Sequence, residues 1–115
     1  MVDHPTFGLT RISNACIISI KGLRATVKIE AAILIPSAFF VGETLTQTAL
    51  LIFPIFLVLI IELINTGIEH IVDRIGLEHH TLSGQAKDAG SAAVFIGNCM
   101  TASIWLLICL DNFVF

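Results

Sequence analysis

Residues 89–110, AGSAAVFIGNCMTASIWLLICL, lie between Asp88 and Asp111 and contain no charged side chain. As an α-helix, this segment would be about 33 Å long, enough to cross a hydrocarbon core of roughly 30 Å. It is the clearest membrane-spanning segment of the chain, and it predicts an integral membrane protein.

The overall composition points the same way. The chain has 115 residues, of which 56% are hydrophobic and 13% charged, and its mean hydropathy is +0.93. A typical soluble domain is about 25% charged, and a chain this short cannot bury so much apolar surface in water. The composition therefore excludes an ordinary soluble enzyme and also a disordered chain, which would be polar. The net charge of −3 argues against a nucleic-acid partner.

Two further apolar segments precede residues 89–110. Residues 49–61 continue into a longer helical pattern, whereas residues 31–42 are too few to span a bilayer comfortably. Cations interspersed with apolar residues before them are typical of a helix at a membrane surface. We therefore predict an all-α integral membrane protein with one domain: an N-terminal amphipathic surface helix at about 10–28 and three membrane helices at about 29–42, 48–75 and 87–110.

The distribution of Lys and Arg predicts the orientation in the membrane. Four cations precede the first membrane helix and two flank the loop after the second, whereas the hairpin at 43–48 and the C-terminal tail have none. The positive-inside rule therefore predicts that the N-terminus and the 74–90 loop are cytoplasmic and the C-terminus is outside. Because the first apolar stretch carries charges, we expect no cleavable signal peptide. The six cations are Arg11, Lys21, Arg24, Lys28, Arg74 and Lys87.

Acidic side chains recur at helical spacing in the second membrane helix. At 100° per residue, Glu62, Glu69 and Asp73 fall within about 40° of one another, and Asn65 flanks them. A carboxylate within the membrane costs on the order of 3 kcal/mol, so something must offset that cost. One possibility is a structural ion pair with a cation of the surface helix. The other, which we favour, is a functional site.

The residue types of this stripe suit phosphoryl transfer. Carboxylates bind Mg²⁺ together with substrate phosphates, and a further carboxylate can act as a general base. Lys87 lies at the start of the last predicted helix, where anions are favoured. A metal, a cation and a base are the parts that phosphoryl transfer needs. The sequence contains no P-loop, GxGxxG, HRD or DFG motif.

Several motifs resemble those of the bacterial integral-membrane diacylglycerol kinases, and they cover nearly the whole chain. The resemblance is closer to these enzymes than to the related undecaprenol kinases, chiefly because of the GSAAV sequence at residues 90–94. The motifs are FGLTRI at 7–12, KGLRA at 21–25, ELINTGIE at 62–69, DRI at 73–75, LEHH at 77–80 and AKDAGSAAV at 86–94.

The resemblance implies a homotrimer in the bacterial inner membrane, with active sites shared between subunits, that converts ATP and diacylglycerol to ADP and phosphatidic acid with Mg²⁺. It implies that Glu62 is the general base, that Asn65 positions the reacting groups, and that Glu69 and Glu30 hold Mg²⁺. The implied ATP contacts are Arg11, Glu30, Glu69, Asp73, Glu78, His79, His80, Thr81, Leu82, Lys87 and Asp88. The implied lipid contacts are Arg11, Ala15, Ile20, Arg24, Glu62, Ser91 and Trp105.

One segment departs from the family pattern. Glu30 runs almost directly into the apolar residues 31–36, so the connection from Glu30 to Glu62 is shorter than in the family. The first membrane helix could tilt less and thin the bilayer locally, or it could merge with the surface helix. A third possibility is that the shortened segment impairs the enzyme. Two alternative functions also remain open: a kinase for undecaprenol or another lipid alcohol, and a non-enzymatic proton-relay or assembly subunit, which intramembrane carboxylates alone would permit.

Overall fold

The computed structural model describes residues 8–14 and 24–115. Within them, residues 9–14 are helical, and three long helices follow: α1 (Ala25–Val41), α2 (Leu45–Ile75) and α3 (Thr81–Phe113). The described residues contain no strand, which confirms the all-α prediction. Much of the predicted surface helix lies outside the described residues.

The helix boundaries differ from those predicted. We predicted a junction between residues 28 and 29, but α1 runs without a break from Ala25 to Val41. The last residues of the predicted surface helix, from Ala25 on, therefore belong to α1. The third helix begins at Thr81 rather than near residue 87, because the side chain of His80 caps it.

Two of the helices, α2 and α3, are long and apolar enough to cross a membrane. The 17 residues of α1 would extend only about 26 Å. Many large apolar side chains on these helices are exposed, among them Phe40, Ile64 and Phe95. An apolar surface of this extent is typical of a protein covered by lipid or by other subunits.

The three helices pack together at the end opposite the 76–80 loop. Ala38 of α1, Leu51 of α2 and Ile108 of α3 form a buried cluster, with Trp105 against it. The Trp105 Nε1 donates a hydrogen bond of 3.1 Å to the Leu51 carbonyl oxygen. This contact ties α3 to α2 and satisfies the indole N–H, which an apolar environment would otherwise leave unpaired.

A polar cluster closes the same end of the helices. Gln47 and Asn112 exchange two amide hydrogen bonds of 3.0 and 2.9 Å, and Asn112 Nδ2 also donates to the Val41 carbonyl oxygen at 2.7 Å. One side chain therefore joins the end of α1, the start of α2 and the end of α3. Sequence analysis did not identify this cluster, because its partners are 65 positions apart.

Replacing His80 by alanine should loosen the start of α3. The His80 Nδ1 accepts a hydrogen bond of 3.1 Å from the backbone N–H of Leu82, so the substitution removes a cap that contributes about 1 kcal/mol. Hydrogen exchange of the Leu82 amide should become about fivefold faster. His80→Asn supplies another capping side chain and should keep the slow exchange of the Leu82 amide. If that amide exchanged as slowly in His80→Ala as in His80→Asn, the cap would contribute nothing.

Candidate functional site

The acidic stripe of α2 meets an arginine at the start of α1. Arg24 Nη2 lies 3.0 and 3.3 Å from the two carboxylate oxygens of Glu69, and Arg24 Nε lies 3.8 Å from Glu62 Oε2. Arg24 occupies the N-cap position of α1 with extended backbone, and its side chain makes no capping hydrogen bond there. The structural ion pair considered above is therefore present, at least for Glu69.

That pairing leaves part of the site unsatisfied. Glu62 is 5% exposed and Asn65 is 3% exposed, yet Glu62 Oε2 and Asn65 Oδ1 are buried and have no hydrogen-bond partner among the described residues. The contact of 3.8 Å to Arg24 is too long to be a hydrogen bond. Unpaired buried polar atoms are costly and call for an explanation such as a ligand or an ion.

Glu69 and Glu62 have the chemistry that a divalent cation requires. Within residues 8–14 and 24–115, no three His, Cys, Asp or Glu side chains come together in a way that could hold a metal. Mg²⁺, however, is commonly bound by one or two carboxylates together with waters and substrate phosphates. The half-buried Glu69 carboxylate fits such an ion, and the unpaired Glu62 oxygen is left for another partner.

Asn65 is held in place from two sides. Its Nδ2 donates a hydrogen bond of 3.4 Å to Glu69 Oε1. On the other side, Gly90 of α3 is buried directly against it, and a methyl group at Gly90 would overlap Asn65 Oδ1. Gly90 therefore permits the close approach of α2 and α3 that fixes the amide. Gly90 belongs to the AKDAGSAAV motif at 86–94, and nothing in that motif indicated its contact with Asn65.

A second polar site lies around the loop between α2 and α3. Lys87 Nζ forms an ion pair of 2.8 Å with Asp73 Oδ1, and both side chains are partly exposed. Asp73 thus pairs with α3 rather than with the rest of its stripe. The pair lies outside the charge-free residues 89–110. The hydrogen bond to Asp73, reinforced by its charge, raises the pKa of Lys87 above the ordinary value, so the amine remains cationic at neutral pH.

The cleft around this ion pair has a volume of about 170 Å³ and brings together several predicted nucleotide contacts. Lys87 and Asp73 face the loop residues across it. Leu82 lines the adjoining pocket, while Thr81 and Asp88 are exposed on the first turns of α3. The cleft is lined by Val72, Asp73, Gly76, Leu77, Glu78, His79, His80, Ser83, Gly84 and Lys87.

The remaining predicted residues do not join these two sites. Glu30 lines a groove between α1 and α3 together with Trp105, and its role with Glu69 in holding a metal stays a prediction. Ser91 is exposed on α3 beside Gly90, and Arg11 is exposed in the short helical stretch of residues 9–14. The predicted lipid contacts Ala15 and Ile20 lie outside the described residues.

Comparison with known proteins gives matches over most of the chain. The family described as prokaryotic diacylglycerol kinase matches residues 17–109. The diacylglycerol kinase of Haemophilus influenzae is 44% identical, over 89% of this chain and 94% of its own. Those of Pseudomonas aeruginosa and Escherichia coli K12 are 42% and 40% identical, over 90% and 94% of this chain and over 91% and 96% of their own.

Proposed function

This chain belongs to the prokaryotic diacylglycerol kinase family, and on that premise we propose that it transfers the γ-phosphate of ATP to the free hydroxyl of diacylglycerol, forming phosphatidic acid. One observation carries the proposal for the site: the buried Glu62 carboxylate has an unpaired oxygen and lies on the helix that leads to the Lys87 cleft. A carboxylate so placed is available to a hydroxyl that arrives from the membrane.

Glu62 acts as the general base in this proposal. It lies seven residues before Glu69 on α2, about 10 Å farther from the loop along the helix. The lipid hydroxyl donates a hydrogen bond to the free Glu62 oxygen, which accepts the proton as the lipid oxygen bonds to the γ-phosphorus and the bond from that phosphorus to ADP breaks, releasing ADP. Asn65, fixed by Gly90, orients the reacting groups.

Glu69 is the proposed metal residue on α2. Bound Mg²⁺ would neutralise the charge of the ATP phosphates and orient them for transfer. Arg24 lies 3.0 Å from Glu69 and balances its carboxylate charge. Glu30 stays the second proposed metal residue, for a site shared between subunits; within one chain it lines the groove with Trp105.

The nucleotide is proposed to bind at the loop between α2 and α3. Lys87 supplies a lasting positive charge for its phosphates, and Asp73 holds the Lys87 amine in position. Glu78, His79 and His80 line the same cleft. A nucleotide at this cleft would direct its terminal phosphate along α2 towards Glu69 and Glu62.

We propose the bacterial inner membrane as the location, with the N-terminus and the 74–90 loop cytoplasmic and the C-terminus outside. The distribution of Lys and Arg supports this orientation through the positive-inside rule. The loop between α2 and α3 would then lie on the side of the membrane where ATP is available. A homotrimer with shared sites would cover the large apolar side chains that a single chain exposes.

The direct test is phosphate transfer from labelled MgATP to dioleoylglycerol in mixed micelles, with undecaprenol assayed in parallel. We expect labelled phosphatidic acid from dioleoylglycerol and little product from undecaprenol. Preferential labelling of undecaprenol would assign the chain to a different lipid alcohol. A protein that labels neither lipid and gains no thermal stability from MgATP would support the non-enzymatic alternative, since a nucleotide that binds the native state stabilises it.

A further inference from the structure

An open groove of about 450 Å³ runs between α1 and α3, apart from the Glu62 and Lys87 sites. Its apolar walls suit an acyl chain. It also contains a polar side chain, Asn98, in the middle of the charge-free residues 89–110. The groove is lined by Glu30, Leu34, Asn98, Thr101, Ala102 and Trp105.

Two polar groups of the groove, on Thr101 and Trp105, are already engaged. The Thr101 hydroxyl donates to the Gly97 carbonyl oxygen at 3.0 Å, and the Trp105 Nε1 donates to the Leu51 carbonyl oxygen at 3.1 Å. Asn98 itself is exposed in the groove. An amide in an apolar environment is unfavourable unless its N–H groups find an acceptor, so the exposed amide calls for a polar partner.

The depth of Asn98 indicates which part of a lipid it meets. The neighbouring Gly97 packs against Val58 and Ile61 of α2, at 3.1 and 3.3 Å from the position of an added methyl group. Asn98 is therefore just beyond Glu62 on the side away from the loop. A diacylglycerol whose hydroxyl is at Glu62 places its ester carbonyls next and its acyl chains farthest from the loop.

We propose that Asn98 donates a hydrogen bond to an ester carbonyl of diacylglycerol, and so selects esterified glycerol over lipids that lack an ester. A carbonyl oxygen only accepts hydrogen bonds, and the NH₂ group of Asn98 donates them. This inference rests on the proposed function, because it concerns the acceptor lipid of that reaction.

The test compares dioleoylglycerol with its ether-linked analogue, whose ether oxygens replace the carbonyls. We expect the wild-type protein to show a KM for the ester about three- to tenfold lower than for the ether, the contribution of one hydrogen bond. In Asn98→Leu, which has a similar volume but no donor, the KM for the ester should rise to that for the ether. The kcat and the KM for MgATP should not change.

Ser103→Ala is the matched control on the same helix, because the Ser103 hydroxyl is bonded to the Cys99 carbonyl oxygen at 2.7 Å and Ser103 does not line the groove; its KM for the ester should stay at the wild-type value. Equal KM values for ester and ether in the wild-type protein would overturn the proposal, whatever the variant does. A parallel rise for both lipids in Asn98→Leu would also overturn it and would indicate a packing role. Absence of transfer to either lipid by the wild-type protein would instead refute the proposed function.

Discussion

Replacing Glu62 by glutamine should reduce phosphate transfer to diacylglycerol by a factor of about 10² to 10⁴, the usual contribution of a general base. Glutamine has nearly the same shape, and it cannot take the proton of the lipid hydroxyl. Because Glu62 lies about two turns from Glu69 and farther from the loop, MgATP should still bind. Labelled-phosphate transfer measures the loss, and MgATP-dependent thermal stabilisation measures the retained binding.

Glu69→Gln is the informative companion to this variant. Glu69 carries the charge proposed for the metal, so this substitution should weaken Mg²⁺-dependent nucleotide binding as well as transfer. If both glutamine variants kept wild-type rates, the stripe would serve only to pair with Arg24, and the mechanism would be wrong.

Much of the prediction of the acidic site rested on the spacing of polar residues along α2. Glu62, Asn65 and Glu69 are separated by three and four residues, and such spacing puts side chains on one face of any helix, whatever it packs against. The structure brings all three together around Arg24, through the ion pairs and the Asn65–Glu69 hydrogen bond. Their roles in the reaction remain proposals.

Other features depend on contacts that one sequence does not reveal. Asn112 meets Gln47 across 65 positions, and nothing in the local pattern of either residue indicates the other. The junction expected at residues 28 and 29 was placed from charge, but that stretch contains neither glycine nor proline to stop a helix, and α1 continues through it. That continuity carries Glu30 along α1 into the groove with Trp105.

Gly90→Ala should impair both folding and catalysis, because Gly90 is the point of closest approach between α3 and Asn65. The added methyl group would overlap Asn65 Oδ1 and lie 3.0 Å from Asn65 Cγ. Asn65 is buried, so either it leaves its position beside Glu69 or the two helices separate. We expect a loss of about 1–3 kcal/mol in the free energy of unfolding, typical of overpacking, and a fall in kcat of more than about tenfold.

Gly67→Ala is the matched control for this change. Gly67 lies on α2 between Asn65 and Glu69, yet a methyl group there would meet nothing within 4 Å. That substitution should raise stability by up to about 1 kcal/mol through helix propensity and leave kcat unchanged. Adding Asn65→Ala to Gly90→Ala should restore stability, because it removes the overlapping atoms, without restoring kcat, because the positioning amide is gone. If Gly90→Ala were as stable and as active as Gly67→Ala, the close approach of α3 would have no part in positioning Asn65.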